Sequence, residues 1–273
     1  MSEDHEMSGF CMLPEGCISQ IISFTSPKDA CTASAVSLGF KSAAESDTVW
    51  ERFLPSAYED IIARSVSPVL YYSKKELYFR LCDFPLLIDG GNLSFTLSKP
   101  SGKKCYMLCA RELDIAWKDT QDYWEWKSLT ESRFTEVAEL LYVWWLDIRG
   151  KIRTQMLSLK TKYAGYLVFK TLKDSTGLDL SSKASIKLVQ QSIDEVEGEN
   201  STVYLIKPAH CRGRWRHAMP EERRDGWMEI KLGEYFNDEG YDGDLQMRLF
   251  ETENLHGKSG LIVEGIELRP MEG

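Results

Sequence analysis

Two neighbouring stretches decide the fold: Ser73-Lys74-Lys75-Glu76-Leu77-Tyr78-Phe79-Arg80-Leu81, and after it Asp89-Gly90-Gly91-Asn92-Leu93-Ser94-Phe95-Thr96-Leu97. In the first, a serine followed three residues later by a glutamate is a capping box, which satisfies two orphan N–H groups and opens a helix through about Leu81. In the second, Asp-Gly-Gly-Asn is a turn, and Leu93, Phe95 and Leu97 then alternate with polar residues as a half-buried strand does. The boundary between a helical and a strand region therefore falls near residues 83 to 92.

Upstream, every segment reads as helix. Pro14 fits a first turn, where its missing N–H costs nothing, and Ile18, Ile21 and Ile22 fall on one face. Ser26-Pro27-Lys28-Asp29 starts a second helix with Ser26 as N-cap and Pro27 at N1. Ala30, Ala33, Val36 and Phe40 line its inner side. Asp47 caps a further turn carrying Val49, Trp50, Phe53 and Leu54, and more helix follows with Tyr58, Ile61 and Ile62.

Downstream, β-branched and aromatic runs recur, among them 137–148, 163–172, 184–189, 227–232, 245–250 and 261–268, punctuated by glycine turns such as Asp225-Gly226 and Ser259-Gly260. Many short strands without intervening helices predict an antiparallel sandwich or jelly roll. Trp117 to Trp126 is charged and aromatic without clean alternation and reads as a loop. Trp144 and Trp145, adjacent on a strand, face opposite sides, so at least one is core. The fold class is α+β: a small all-α N-terminal domain, then an all-β jelly roll or β-sandwich. The organisation read is a loose stretch 1–12, a helical domain 13–55, a helical linker 56–91 and a β domain 92–273.

At 273 residues and 43% hydrophobic, the chain is long enough for two domains with cores. A formal net charge of -9 disfavours sequence-independent nucleic-acid binding, which needs a basic footprint, and disfavours anionic membranes. No run approaches the ~20 apolar residues of a membrane span, and the acidic start, Met1-Ser2-Glu3-Asp4, is unlike a secretory signal. Seven irregularly spaced cysteines suit a reducing compartment. The expectation is a soluble intracellular protein without cofactor or metal.

Leu13-Pro14, Ile18, Ile21-Ile22, Asp29, Val36-Ser37, Phe40 and Trp50 form a series that resembles the F-box. Trp117-Lys118-Asp119 followed by Tyr123-Trp124-Glu125-Trp126, then Trp145-Leu146-Asp147-Ile148-Arg149-Gly150-Lys151, Gly226-Trp227-Met228-Glu229 and Gly265-Ile266-Glu267-Leu268-Arg269-Pro270, are similar to the phloem protein 2 family, whose lectin members include the Nictaba type. The first resemblance implies docking to a Skp-family adaptor, and through it a cullin, by Leu13, Pro14, Ile18, Ile21, Ile22, Val36 and Phe40. The second implies a lectin domain that binds N-acetylglucosamine-containing glycans or glycoproteins, with Trp117 and Trp124 as the sugar-contacting rings and Glu251 at an acidic position near the site.

The residues agree with that reading. A tryptophan on a loop offers a flat apolar face to the C–H side of a pyranose and keeps an N–H donor, and Asp119 supplies a carboxylate to accept hydroxyl protons. Trp126 is the loop's structural anchor. Together the resemblances imply a non-catalytic substrate receptor of a Skp–cullin–F-box ubiquitin ligase, resident in nucleus and cytoplasm. A stand-alone intracellular lectin, or a protein-binding receptor without ligase recruitment, is the alternative. Other chemistry is set aside: no metal-ligand spacing accompanies Cys105 and Cys109, His210-Cys211 is a poor nucleophile–base pair, and acidic neighbours dilute the basic run Arg212, Arg214, Arg216, Arg223 and Arg224.

Overall fold

A computed structural model describes residues 13–189, 200–208, 219–240 and 243–271. The stretch 1–12, His210-Cys211 and Arg212, Arg214 and Arg216 lie outside the described residues. Six short helices come first: α1 (Glu15–Ile22), α2 (Pro27–Ala33), α3 (Leu38–Glu45), α4 (Asp47–Phe53), α5 (Tyr58–Ala63) and α6 (Lys74–Asp83). None is long and apolar enough to cross a membrane. Their starts follow local chemistry. Ser26 Oγ accepts from Asp29 N and the Asp29 carboxylate from Ser26 N, closing a capping box with Pro27 at N1. Ser73 Oγ likewise accepts from Glu76 N at 3.1 Å, but the Glu76 carboxylate reaches back to Tyr72 N at 2.8 Å instead of to the cap residue.

The helices close around Trp50, which is fully buried against Phe53, Tyr78 and Phe79 and donates its indole N–H to Ala44 O at 2.7 Å. In α1, Ile18 and Ile22 point inward, and Ser19 Oγ donates to Ala43 O at 3.1 Å, tying α1 to α3. Ile21 is exposed. The single apolar face expected for the three isoleucines is thus two faces, because residues 21 and 22 stand about 100° apart on a 3.6-residue helix.

The strands are β1 (Leu86–Ile88), β2 (Leu93–Leu97), β3 (Lys104–Cys109), β4 (Asp114–Ile115), β5 (Trp124–Lys127), β6 (Val137–Leu140), β7 (Leu146–Arg153), β8 (Thr161–Thr176), β9 (Ser182–Val189), β10 (Ser201–Val203), β11 (Glu221–Glu222), β12 (Met228–Asn237), β13 (Asp244–Glu251) and β14 (Ser259–Pro270). They build two sheets. One runs β1-β2-β3-β14-β8-β12-β11, with β6 also on β14 and β5 on β6; the other runs β10-β9-β13-β7-β4. The fold is the expected α+β arrangement of helices followed by an antiparallel two-sheet sandwich.

Glycine sets how closely the sheets approach. Gly165 and Gly233 are register partners on β8 and β12, and Ile186 of the opposite sheet fits over both; a Cβ on Gly165 would stand 2.8 Å from Ile186 Cδ1. On β7, Gly150 receives Leu108 and Ile266 in the same way. By contact the chain forms two compact units: up to Leu86 with Thr96–Lys104, and Leu87–Phe95 with everything from Cys105 on. The β2–β3 hairpin tip therefore groups with the helices. Tyr78 Oη donates toward Ser98 O and Lys99 O, and Lys99 pairs with Asp83.

Candidate functional site

The sandwich carries an open cleft of about 400 Å³ lined by Trp117, Trp144, Trp145 and Leu255. Its first wall follows from register. On β4, Asp114 and Ile115 pair with Arg149 and Ile148 of β7, and Ala116 N continues the ladder by donating to Asp147 O at 3.0 Å. The next residue, Trp117, is thereby brought beside the residues that precede β7. Its ring lies 6.1 Å from that of Trp145 at 33° and meets Tyr123 edge-on at 5.8 Å.

Trp117 is 43% exposed and has a left-handed backbone with φ 61°. Such a conformation costs roughly 1–2 kcal/mol for a residue with a side chain. The surrounding turn over-determines it: Lys118 N donates to Ile115 O at 3.2 Å, Thr120 N to Trp117 O at 2.9 Å, and Lys118 Nζ to Leu113 O at 2.8 Å.

Trp124 does not share this role. The expected loop ends at Tyr123, and Trp124 to Lys127 is strand β5, paired with β6 through Trp124 and Leu140. The ladder turns the Trp124 ring inward, where it is 2% exposed and donates Nε1–H to Ala116 O at 3.1 Å. A ring without an exposed face cannot stack on a sugar. Trp124 instead braces the base of the turn from which Trp117 projects. Trp126 is half-buried under the Arg111 guanidinium, 3.6 Å from its centroid, and donates to Lys118 O.

The second wall departs from the continuous strand expected over residues 137–148. Leu141 to Trp145 is not strand; β6 ends at Leu140 and β7 begins at Leu146. Within it Val143 is buried and makes an isolated bridge to Lys258, while Trp144 and Trp145 are both about half exposed. Strand alternation, which placed one of the two in the core, does not apply off a ladder. Tyr142 packs edge-on against Trp144 at 5.3 Å. It lies on Gly257, where a Cβ would meet Tyr142 Oη at 2.2 Å.

Leu255 belongs to the connection between β13 and β14, which Glu251 and Lys258 organise from inside. Glu251 is buried and ion-paired to Lys258, and its Oε1 accepts from Glu253 N at 3.1 Å and Asn254 N at 2.8 Å. Burial alone would raise its carboxyl; the Lys258 ammonium and these N–H donors outweigh it and hold the carboxyl below the ordinary range. Glu251 faces the interior and does not line the cleft. Asp119 is exposed on the Trp117 turn. A lone lysine in a polar stretch carries no sequence sign of burial, so the role of Lys258 shows only in the structure.

On the helices, Leu13, Pro14, Cys17, Ile21 and Phe24 are exposed along α1 and its ends, and Val36 and Leu38 are exposed before and at the start of α3. Ile18 and Ile22 are core residues and Phe40 is half-buried. Of the docking residues read from sequence, then, Leu13, Pro14, Ile21 and Val36 are available to a partner, and Ile18 and Ile22 support them from behind. Leu38 and Phe24 are additions. Val36 lies beyond the end of α2 and does not line that helix's inner side.

Comparison with known proteins matches the phloem protein 2 family to residues 103–270 and the F-box domain to residues 10–52. Among similar proteins of Arabidopsis thaliana, F-box protein At2g02240 is 48% identical over 96% of this chain and 81% of its own length. F-box protein PP2-B10 is 44% identical over 97% of this chain and 95% of its own. Putative F-box protein PP2-B12 is 46% identical over 96% and 98%.

Proposed function

The chain belongs to the family of F-box proteins that carry a phloem protein 2 domain, and from that premise we propose that it is the substrate-recognition subunit of a Skp–cullin–F-box ubiquitin ligase, capturing N-acetylglucosamine-containing glycans or glycoproteins in the three-indole cleft. F-box and phloem protein 2 families are typically non-catalytic adaptors and lectins. The observation that carries the reading is that each compact unit presents an exposed apolar surface: Leu13, Pro14, Ile21, Val36 and Leu38 on one, and Trp117, Trp144, Trp145 and Leu255 on the other.

Short helices bury only part of their apolar surface, and a partner covers the remainder. In the cleft, the indoles offer broad apolar faces at small entropic cost, which suits the C–H faces and the N-acetyl methyl of the sugar. Asp119 and the indole N–H groups supply the polar selectivity. Ubiquitination is then promoted by tethering, which raises the effective concentration of target lysines near the charged conjugating enzyme. Residence in nucleus and cytoplasm is part of the same reading.

The test is co-purification of the full-length protein with a Skp-family adaptor and cullin, alongside titration with N-acetylglucosamine oligomers. Ile21→Lys with Val36→Lys should abolish the first and spare the second, and Trp117→Ala the reverse. Failure of the intact protein to bring down adaptor and cullin would leave a stand-alone lectin. Adaptor binding without glycan binding would leave a receptor for protein surfaces.

A further inference from the structure

Both chain crossings that carry the cleft's second wall run from one sheet to the other. Residues 141–145 join β6 to β7, and residues 252–258 join β13 to β14. They lie side by side because they are tied at both ends: Leu146 pairs with Glu251 at one end, and Val143 with Lys258 at the other. The second tie is double, with Val143 N donating to Lys258 O at 3.0 Å and Lys258 N to Val143 O at 2.7 Å.

Between the crossings lies the side chain of Lys258, only 1% exposed. A buried ammonium has three protons to place. Lys258 Nζ donates to Trp144 O at 2.7 Å, Asn254 O at 3.1 Å and His256 O at 3.1 Å, and forms its ion pair with Glu251. One of these carbonyls belongs to a cleft tryptophan, and the other two flank Leu255. Glu251 in turn grips the same connection through Glu253 N and Asn254 N.

We propose that Lys258 and Glu251 are positioning residues of the cleft: a buried ion pair that locks the two inter-sheet crossings together and so sets where the Trp144 ring and Leu255 stand. This rests on the cleft being the ligand site of the reading above. It gives Glu251 a role at one remove, through Lys258 and the loop backbone and without contact to a sugar. A ligand held by flat ring faces depends on ring placement, and misplacement by about an ångström weakens productive contact steeply.

Removing one charge strands the other in the interior and threatens folding, whereas replacing both by apolar groups of similar volume is often neutral or stabilising. The informative variant is therefore Glu251→Leu with Lys258→Met in the full-length protein. The backbone groups the pair engages, Trp144 O, Asn254 O, His256 O, Glu253 N and Asn254 N, lose these partners, so melting temperature should fall, but by less than in either single variant, which strands a charge as well. Amide exchange at 142–145 and 252–258 should accelerate by more than in the core strands β8 and β14, and acrylamide should quench tryptophan fluorescence more strongly. Exchange and quenching at the wild-type level would overturn the proposal, and neither readout needs a ligand.

With N-acetylglucosamine oligomers as probe, affinity should fall by roughly tenfold to a hundredfold. The same double variant should weaken every sugar in a series of oligomers and deoxy analogues by the same factor. A changed ranking of the sugars would assign Glu251 to direct contact and refute the positioning role. If the wild-type protein binds none of these sugars, the glycan reading fails, and exchange and quenching still decide the clamp.

Discussion

Two adjacent residues of α1 should respond in opposite ways to substitution. Ile22 is 3% exposed and Ile21 45% exposed. Truncating Ile22 to alanine removes a buried aliphatic group and leaves a cavity among short helices with little capacity to collapse. The expected loss is about 2–5 kcal/mol of helical-unit stability, a large share of the roughly 5–15 kcal/mol that holds an ordinary domain folded.

Ile21 contributes little to that core. Lysine is the informative replacement, because it has good helix propensity and its charge at the end of α1 favours the helix dipole. Ile21→Lys should alter stability by no more than about 0.5 kcal/mol yet remove an apolar contact from the exposed strip proposed to meet the adaptor. Urea unfolding followed by far-ultraviolet circular dichroism gives the stability, and calorimetric titration with a Skp-family adaptor gives the affinity. Ile22→Ala with unchanged stability and lost binding would refute the assignment of faces. So would Ile21→Lys that unfolds the helices.

Further outcomes follow from the β domain. Trp124→Ala should cost about 3–5 kcal/mol as a buried ring is lost, whereas Trp117→Gly removes a left-handed strain while adding unfolded-state entropy, leaving stability within about 1 kcal/mol; chemical denaturation separates them, and equal losses would sink the distinction. Gly257→Ala places a methyl group 2.2 Å from Tyr142 Oη, so Tyr142 should be displaced, visible as altered near-ultraviolet dichroism. Glu264 is buried with Oε1 accepting from Ser132 Oγ and Arg133 N. Burial pushes its carboxyl up despite Arg133. A raised folded pKa means that the folded state favours the proton, so this residue's contribution falls as pH rises through the carboxylate range. Glu264→Gln should therefore raise the melting temperature at neutral pH, with the gain shrinking in acid; a pH-independent difference would contradict the sign.

What could be read from the sequence was what local chemistry determines. Ser26-Pro27 and Ser73 start helices because their hydroxyls meet N–H groups three residues away, and the helix-to-strand switch shows as a change of period. Expectation and structure part where a residue's environment depends on distant pairing. Trp117 and Trp124 are equivalent as residue types, and only the ladder of β5 on β6 sends one ring inward. Strand alternation puts one of Trp144 and Trp145 in the core, but the only ladder contact of their segment among the described residues is a single bridge. The resemblance places Glu251 near a sugar, whereas its carboxylate turns inward to Lys258 across a loop that no spacing rule describes. Ile18 and Ile22 share their stripe with the docking residues in sequence and part from them only when α3 packs against α1.

The left-handed turn at Trp117 bears on the time course of binding. The Trp117 ring is partly exposed, held by hydrogen bonds on both sides of the turn, so the proposed sugar ligand has no shut state to wait for. The observed association rate should therefore climb in proportion to ligand concentration without levelling off, and differences in affinity among ligands should lie in how long each remains bound.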